Sequence, residues 1–559
     1  MKLTGAEFLV KELIRLGIDT VFGYPGGYVI NIYDELYKHS DKLTHILPAH
    51  EQGGAHAADA YARVSGKTGV VIATGGPGAT NLVTAIANAY LDSVPVVFIT
   101  GNVAGVMLGQ DSFQDIDIVG VTLPIVKHSY VVRDIKDLQK IINEAFFIAG
   151  SGRKGPVHID IPKSIQAESF EYNPNFSLNK SDYSDKQISS QTADELSDKI
   201  SSATELIKSS KRPYIYCGGG VSASGTGHAV MLLSEKTGAP IGMSLMGIGS
   251  VPASFSLNLG MSGMHGRFAS ISAMSDADLI IALGVRFSDR ATGSADEYAK
   301  NTAVIHIDID AAELGKNIRP NVSINGDLKD VLPKLLSAAP VLSNPKWQAR
   351  IEELKKQDSF IENEDFTPKN IIRCVNKFYG DDIVVATDVG QHQMWTAQYY
   401  MFEKPQKLIS SGGLGAMGYG LGAAIGASIA ENKKRTVLIT GDGSFGMNLT
   451  ELATAVTQEL PITIILINNN SLGMVRQLQT LFYDKRYSST TLKRKTNFPA
   501  LALAFGAAGD SVDSLDKLQK AMERAPDNKP CLIECKINTD EMVLPMIPGG
   551  KTIKDVILD

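Results

Sequence analysis

A chain of 559 residues is too long for a single small binding module and corresponds to about three or four domains at ~150 residues each. Its 44% apolar and 20% charged residues, with 54 Lys+Arg against 60 Asp+Glu for a net charge of −6, fit a globular enzyme and exclude a nucleic-acid binder built on a dominant basic face. Four cysteines are too few for a disulfide framework, so a reducing, cytoplasmic compartment is expected, and 52 glycines point to many tight loops beside ligands.

The opening segment, MKLTGAEFLVKELIRLG, has the pattern of an amphipathic helix and lacks the apolar block of a secretion signal. The most apolar stretches, such as 420–430, fall short of the ~18 residues that span a bilayer, so no membrane association is expected. Continuous β-branched runs then alternate with helical patterns: 69–74, 95–100 and 156–162 in a first set; 213–220, 278–284 and 303–310 in a second; 382–390, 435–443, 462–470 and 530–537 in a third. Runs without polar alternation read as buried strands of parallel sheets. The polar stretch 173–191 and the segment AAPVLSNPK (338–346) read as linkers. The expected fold is therefore α/β, with three consecutive doubly wound parallel-sheet domains spanning 1–172, 190–340 and 365–559. Ligands of such sheets sit beyond the carboxyl ends of strands. There the sequence places ATGGPGATN after the 69–74 run, CGGG in the 213–220 run and GDGSF at the end of the 435–443 run.

Gly441-Asp442-Gly443 ends one apolar run, and Asn468-Asn469 ends the next. An acidic and an amide oxygen at adjacent strand ends are suited to Mg²⁺, which takes oxygen ligands while bridging to phosphates, although GDG alone is also a common turn. The paired motifs resemble the signature of the thiamine diphosphate enzymes. Glu51 lies in PAHEQGGAHAADAYAR at the start of an expected helix, where an isolated Glu would serve only as a favourable charge at the helix N-terminus. The resemblance implies more: in that family this glutamate hydrogen-bonds the aminopyrimidine of the cofactor and drives the proton relay that activates the thiazolium. Because Glu51 and GDG fall in different domains, the resemblance also implies a cofactor held across two chains of a homodimer or homotetramer.

The likeness sharpens to the catalytic large subunits of the acetohydroxyacid (acetolactate) synthases. It is carried by VFGYPGG (21–27), GPGATNLVT (76–84), GPVHIDIPK (155–163), GMHG (263–266), GVRFSDRATG (284–293), DVGQHQMW (388–395), GGLGAMGYGL (412–421), GMVRQLQ (473–479) and DEMVLPMIPGG (540–550). The GxGxxG spelled by Gly413, Gly415 and Gly418 would alone be a weak dinucleotide fingerprint. By resemblance, Met417 is instead the wedge that bends the cofactor, and Glu51, Pro77, Gln391, His392, Gly415, Gly441, Gly443 and Ser444 complete the thiamine diphosphate site, with Asp442, Asn469 and the Ser471 carbonyl as Mg²⁺ ligands. Gln114, Lys163 and Arg290 join Glu51 in the catalytic set. Gly26, Phe113, Val389, Met474 and Leu478 line the substrate pocket. Arg290 resembles the arginine that grips the carboxylate of the second 2-oxo acid, which its planar fork can bind bidentately. An FAD site is implied at Gly218, Gly219, Gly220, Leu245, Met246, Met264, His265, Gly266, Arg286, Arg290 and Asp308.

The implied reaction decarboxylates pyruvate and joins the remaining two-carbon unit to a second pyruvate, giving 2-acetolactate, or to 2-oxobutyrate, giving 2-aceto-2-hydroxybutyrate, at the entry to branched-chain amino acid synthesis. It involves no net oxidation, so a flavin would be structural or vestigial. A pyruvate oxidase or another thiamine-dependent decarboxylase is the alternative enzyme, disfavoured by Arg290 and GMVRQ. A catalytically silent flavin-binding subunit is the alternative from another class, disfavoured by Glu51, GDG and NN together. The chain departs from the resembled pattern at Leu478 (usually Trp), Ala104 (usually Pro), Tyr28 (usually small), and Gln110 and Ser112 in what is commonly GTDAF. A separate regulatory subunit is a further expected partner.

Overall fold

The computed structural model describes residues 2–179, 191–358 and 363–558. Their core is three six-stranded sheets, in each of which every pair of neighbouring strands is parallel. The first contains Thr20–Tyr24, Thr44–Ile46, Gly69–Ala73, Val96–Asn102, His128–Val131 and Val157–Pro162, in the spatial order 2-1-3-4-6-5. The second contains Pro213–Cys217, Ile241–Met243, Asn258–Met261, Leu279–Leu283, Ala303–Asp308 and Val322–Asn325, in the order 3-2-1-4-5-6. The third contains Val384–Thr387, Leu408–Ile409, Thr436–Gly441, Ile462–Asn468, Ala508–Val512 and Cys531–Lys536, and repeats the order of the first.

The central strands form where the β-branched runs lie, because helices cover both sheet faces and leave no side facing water. Every residue of Gly69–Ala73, Val96–Asn102 and Ile462–Asn468 is buried. The expected runs overshoot at their glycine-rich ends. Gly219 opens the helix Gly219–Ser224, and Asp442 opens the helix Asp442–Asn448. In the expected linker 173–191, residues 173–179 carry no helix or strand, and 180–190 lie outside the described residues. The second expected linker separates the helices Leu328–Ala338 and Pro345–Gln357. A short antiparallel pair, Lys2–Thr4 with Ser169–Glu171, ties the start of the first unit to its end.

The first and third units meet along the helices Glu51–Ser65 and Tyr419–Ala430, both rich in glycine and alanine. A Cβ on Gly422 would stand 2.5 Å from the Gly53 carbonyl oxygen, and one on Gly426 would stand 1.9 Å from that of Ala57, so the backbones themselves are in contact. Among the described residues, no helix is long and apolar enough to cross a membrane.

Candidate active site

In an open parallel sheet the crevice for a ligand lies where neighbouring strands send their connections in opposite directions, beyond their carboxyl ends. In the third unit that point falls between Val384–Thr387 and Thr436–Gly441, and the residues that follow those two strands are Asp388–His392 and Asp442–Ser444. Val389–His392 and Asp442–Ser444 line a cleft together with Met417, Gly441, Asn469, Ser471 and Met474. Asp442 is buried at the mouth of its helix, and desolvation pushes its carboxyl up to about 6. Asn469 accepts a hydrogen bond from the Ser471 N–H (3.1 Å) and donates to Gln391 Oε1 (3.1 Å), which fixes its amide oxygen on the side of Ser471. Ser444 Oγ donates to the Val389 carbonyl (2.7 Å), joining the two strand ends.

His392 bears directly on what the cleft can hold. Its imidazole packs against Gly441, where an added Cβ would lie 2.9 Å from Nδ1, and its buried Nε2 has no protein partner. Burial pushes its pKa down to about 3, so the ring is neutral and can donate or accept one hydrogen bond at that nitrogen. An orphaned buried nitrogen beside Asp442 and Asn469 fits an oxygen-rich ligand carried by a metal ion. Asp388, unremarked in the sequence, supports the same wall: its buried carboxylate accepts from the Val389 N–H (2.9 Å) and the Gly418 N–H (2.8 Å), holding the start of one loop to the end of another.

A second cluster forms at the corresponding switch point of the first unit, between Thr20–Tyr24 and Gly69–Ala73. Glu51 is the first residue of its helix and is half-buried; its Oε2 accepts from Asn81 Nδ2 (3.0 Å). A Cβ on Gly78 would reach Glu51 Oε1 at 3.3 Å, and one on Gly76, which has φ of 61°, would reach Gln114 Cβ at 2.6 Å. Pro77 lies between these glycines at the first position of the helix Pro77–Thr80. Gly26 packs on Thr74, and Tyr28 Oη donates to the Phe113 carbonyl (2.5 Å). Glu51, Pro77, Gln114, Phe113 and Gly26 are thus brought together, with Lys163 exposed at the end of the strand Val157–Pro162. Sequence reasoning missed Asn81, although it stands inside the quoted GPGATN. It also missed Glu451, whose carboxylate accepts from the Ala49 and His50 N–H groups (3.1 and 2.9 Å) and holds the entry to the Glu51 helix.

None of this first cluster lines the third unit's cleft. Within one chain, the Glu51 cluster and the Asp442 cleft are thus built from different residues.

In the central unit the switch point lies between Pro213–Cys217 and Leu279–Leu283. Gly218 and Gly220 pack on Gly284 so closely that a Cβ on Gly218 would meet the Gly284 oxygen at 1.9 Å. Gly219, Leu245 and Met246 follow the first two strands of that sheet, and buried Asp308, its carboxyl pushed up to about 6 by desolvation, ends the fifth. The loop that carries Met264, His265 and Gly266 is pinned to Arg290, whose backbone carbonyl accepts from the Met264 N–H (2.8 Å). Buried His265 Nδ1 has no protein partner. The Arg290 side chain is 72% exposed, with the carboxylate of adjacent Asp289 3.8 Å away. Val389 and Met474 line the third unit's cleft, Leu478 lies one helical turn beyond Met474 in Gly473–Phe482, and Gly415 lies near the Val389 side chain at the rim.

The chain matches known families throughout. Residues 3–121 match the N-terminal TPP binding domain of thiamine pyrophosphate enzymes, 200–335 their central domain and 388–535 their C-terminal TPP binding domain. It is 42% identical to the acetolactate synthase large subunit of Lactococcus lactis, over 98% of this chain and 95% of that one. Identity is 44% to the acetolactate synthase large subunit of Cyanidium caldarium, over 98% and 96%, and 41% to the acetolactate synthase isozyme 1 large subunit of Escherichia coli K12, over 100% and 98%. Strand-end Asp442 and Asn469, the helix-start Glu51 and likeness across all three sheets agree, and the chain belongs to the thiamine pyrophosphate enzymes, among the acetolactate synthase large subunits.

Proposed function

We propose that this chain makes 2-acetolactate from two molecules of pyruvate, or 2-aceto-2-hydroxybutyrate when 2-oxobutyrate is the second substrate, at an active site assembled from two copies of the chain in the cytoplasm. The observation that carries the reading is the third unit's cleft, in which Asp442, Asn469 and the unpartnered His392 nitrogen face one space. When bound, thiamine diphosphate supplies the electron sink for loss of CO₂ and for the new carbon–carbon bond. The chain's own groups do the rest. Asp442, Asn469 and the Ser471 carbonyl would hold Mg²⁺ through hard oxygen donors. His392, Gln391, Gly441, Gly443 and Ser444 surround the diphosphate end, and Met417 with Val389 gives the apolar wall beside it. Glu51 of a second copy would hold and return the proton at the pyrimidine nitrogen, with Asn81 fixing the carboxylate's orientation.

Arg290 is suited to the second 2-oxo acid because its guanidinium is exposed and, among the described residues, the only carboxylate near it is the exposed one of Asp289; Phe113, Gln114, Gly26 and Lys163 would close the substrate space from the first unit. The central unit fits FAD at its glycine-lined switch point and at the orphaned His265 nitrogen, in a structural role because the net reaction is not a redox one. Relatives named large subunits support a smaller regulatory partner. The test is an assay of the purified chain with pyruvate, thiamine diphosphate, Mg²⁺ and FAD, without an electron acceptor. Acetolactate is expected; acetyl phosphate or acetaldehyde as the main product would overturn the reading.

A further inference from the structure

The tripeptide Leu91-Asp92-Ser93, at the end of the first unit's helix Val83–Asp92, touches all three units. The Asp92 side chain is completely buried. It accepts from the backbone N–H groups of Gly412 (3.1 Å) and Gly413 (2.7 Å) in the third unit, and from Arg63 Nη2 (2.9 Å). Arg63 also donates through Nη1 to the Ser410 carbonyl (3.2 Å). Ser411 Oγ donates to Asn88 of the first unit (2.6 Å) and accepts from the Ala416 N–H (2.8 Å). The start of the loop leading to Met417 is thus fastened to first-unit helices, in part by bonds that a buried carboxylate cannot surrender cheaply, and Ala416 is tied back to that start through Ser411.

The residues on either side of Asp92 connect to the central unit, Leu91 directly and Ser93 by way of first-unit Arg153. The Leu91 carbonyl accepts from Arg286, and Ser93 Oγ accepts from Arg153 Nε (2.8 Å), whose Nη1 also reaches Asp310 (3.0 Å) and Glu313 (2.7 Å). Ser93 is held at φ of 60°, a conformation uncommon for a residue other than glycine. Gly412 itself lies against Met246 of the central unit, where an added Cβ would meet Sδ at 2.2 Å. Arg286, an expected flavin contact, is therefore joined through Leu91 and Asp92 to the loop that leads to Met417, an expected thiamine contact, and Met246, another expected flavin contact, touches that loop at Gly412.

We propose that Asp92 is a positioning residue for the 410–418 loop, and that the junction at Leu91-Asp92-Ser93 makes thiamine diphosphate affinity depend on flavin occupancy. This rests on the cofactor assignments above and gives a flavin with no redox task an energetic one. Coupling between two sites is reciprocal and usually amounts to about 5- to 150-fold in affinity, and an element that each ligand orders in the same position makes it positive.

Trp395, which lines the thiamine cleft, provides a direct readout. The full-length chain, with Asp92→Asn and Asp92→Ala, is titrated with thiamine diphosphate at fixed Mg²⁺, with and without FAD, following tryptophan quenching; flavin uptake is followed separately by its own fluorescence. For the native chain we expect FAD to tighten thiamine diphosphate binding at least about fivefold. Asp92→Ala should weaken binding about tenfold and bring the ratio of affinities with and without FAD close to one. Asp92→Asn keeps the shape and one acceptor oxygen, should stay folded if Ala does not, and should fall between the two. Loss of affinity with an intact ratio would reduce Asp92 to a structural residue and overturn its part in the coupling, as would unchanged affinities in a folded variant, and a native ratio near one despite flavin uptake would overturn the coupling itself. A native chain that takes up no flavin would instead overturn the cofactor assignment, and the coupling with it; the separate flavin signal distinguishes that failure from the others.

Discussion

Leu478 stands where the resembled synthases usually carry a tryptophan, and it is exposed one helical turn beyond Met474, at the edge of the thiamine cleft. A leucine covers less of a substrate's extra methylene than a flat aromatic wall, so the second-substrate preference for 2-oxobutyrate over pyruvate should stay below about fourfold, the equivalent of full burial of one CH₂ at ~0.8 kcal/mol. With both oxo acids at equal concentration, the ratio of acetohydroxybutyrate to acetolactate measures this directly, and a ratio in the tens would show that other residues rebuild the wall. A second residue governs acid stability. His158 is fully buried between Ser129 Oγ and Thr100 Oγ1, each 2.9 Å away, and burial pushes its pKa down to about 3. The folded value lies below the unfolded ~6.5, so the unfolded chain binds the extra proton and stability is lost as pH falls through 6.5 toward 3. Between pH 7 and 5 this amounts to about 2 kcal/mol, which His158→Gln should remove from the difference in urea stability between those two pH values. The placement of Asp442 and Asn469 at adjacent strand ends, lining one cleft, was legible because two motifs carry them. Glu451 was not, since its partners Ala49 and His50 lie some four hundred positions away and only the packing of the two units brings them together.

The same distinction holds for elements. Buried central strands announce themselves as unbroken β-branched runs, and each such run sits within a sheet. Strands of two to four residues at or near sheet edges, such as Leu408–Ile409, Ile241–Met243 and Val322–Asn325, were missed because so short a segment carries no periodicity. The sequence of the helix Tyr419–Ala430, YGLGAAIGASIA, is apolar on every side and reads only as buried; that it lies on Glu51–Ser65 is a tertiary fact. The contact gives a clear expectation for Gly426→Ala. Its Cβ would stand 1.9 Å from a backbone oxygen, which cannot swing aside as a side chain could, so the helices must separate. A loss of about 1–3 kcal/mol is expected from overpacking, seen as a lower denaturant midpoint, whereas Gly549→Ala, with open space around it, should leave the midpoint unchanged.

At the scale of the whole molecule, the proposed reaction calls for a second copy of the chain. The Glu51 cluster and the Asp442 cleft share no lining residue, and large apolar side chains on the first unit stand in solvent, with Val106 at 83%, Phe113 at 81% and Leu123 at 63% exposure. Apolar surface of this kind next to half an active site is suited to a second copy related by a two-fold axis, which would bring each Glu51 to the other chain's Asp442. Two variants, each inactive alone, test that geometry. Glu51→Gln removes the proton-holding carboxylate and should cost about 10²- to 10⁴-fold in acetolactate formation, while Asn469→Ala removes a metal ligand and should be comparably impaired. If each site draws Glu51 from one chain and Asn469 from the other, a mixed dimer has one site with both defects and one with neither. Denaturing the two variants together and refolding them at equal amounts makes about half the dimers mixed, so activity should return to about a quarter of the native level. Refolding each variant separately should restore nothing. A site built within one chain would leave every mixed dimer with two damaged sites, and the mixture would stay as inactive as its parts; that result would remove the two-chain arrangement while leaving the chemistry of each half-site intact.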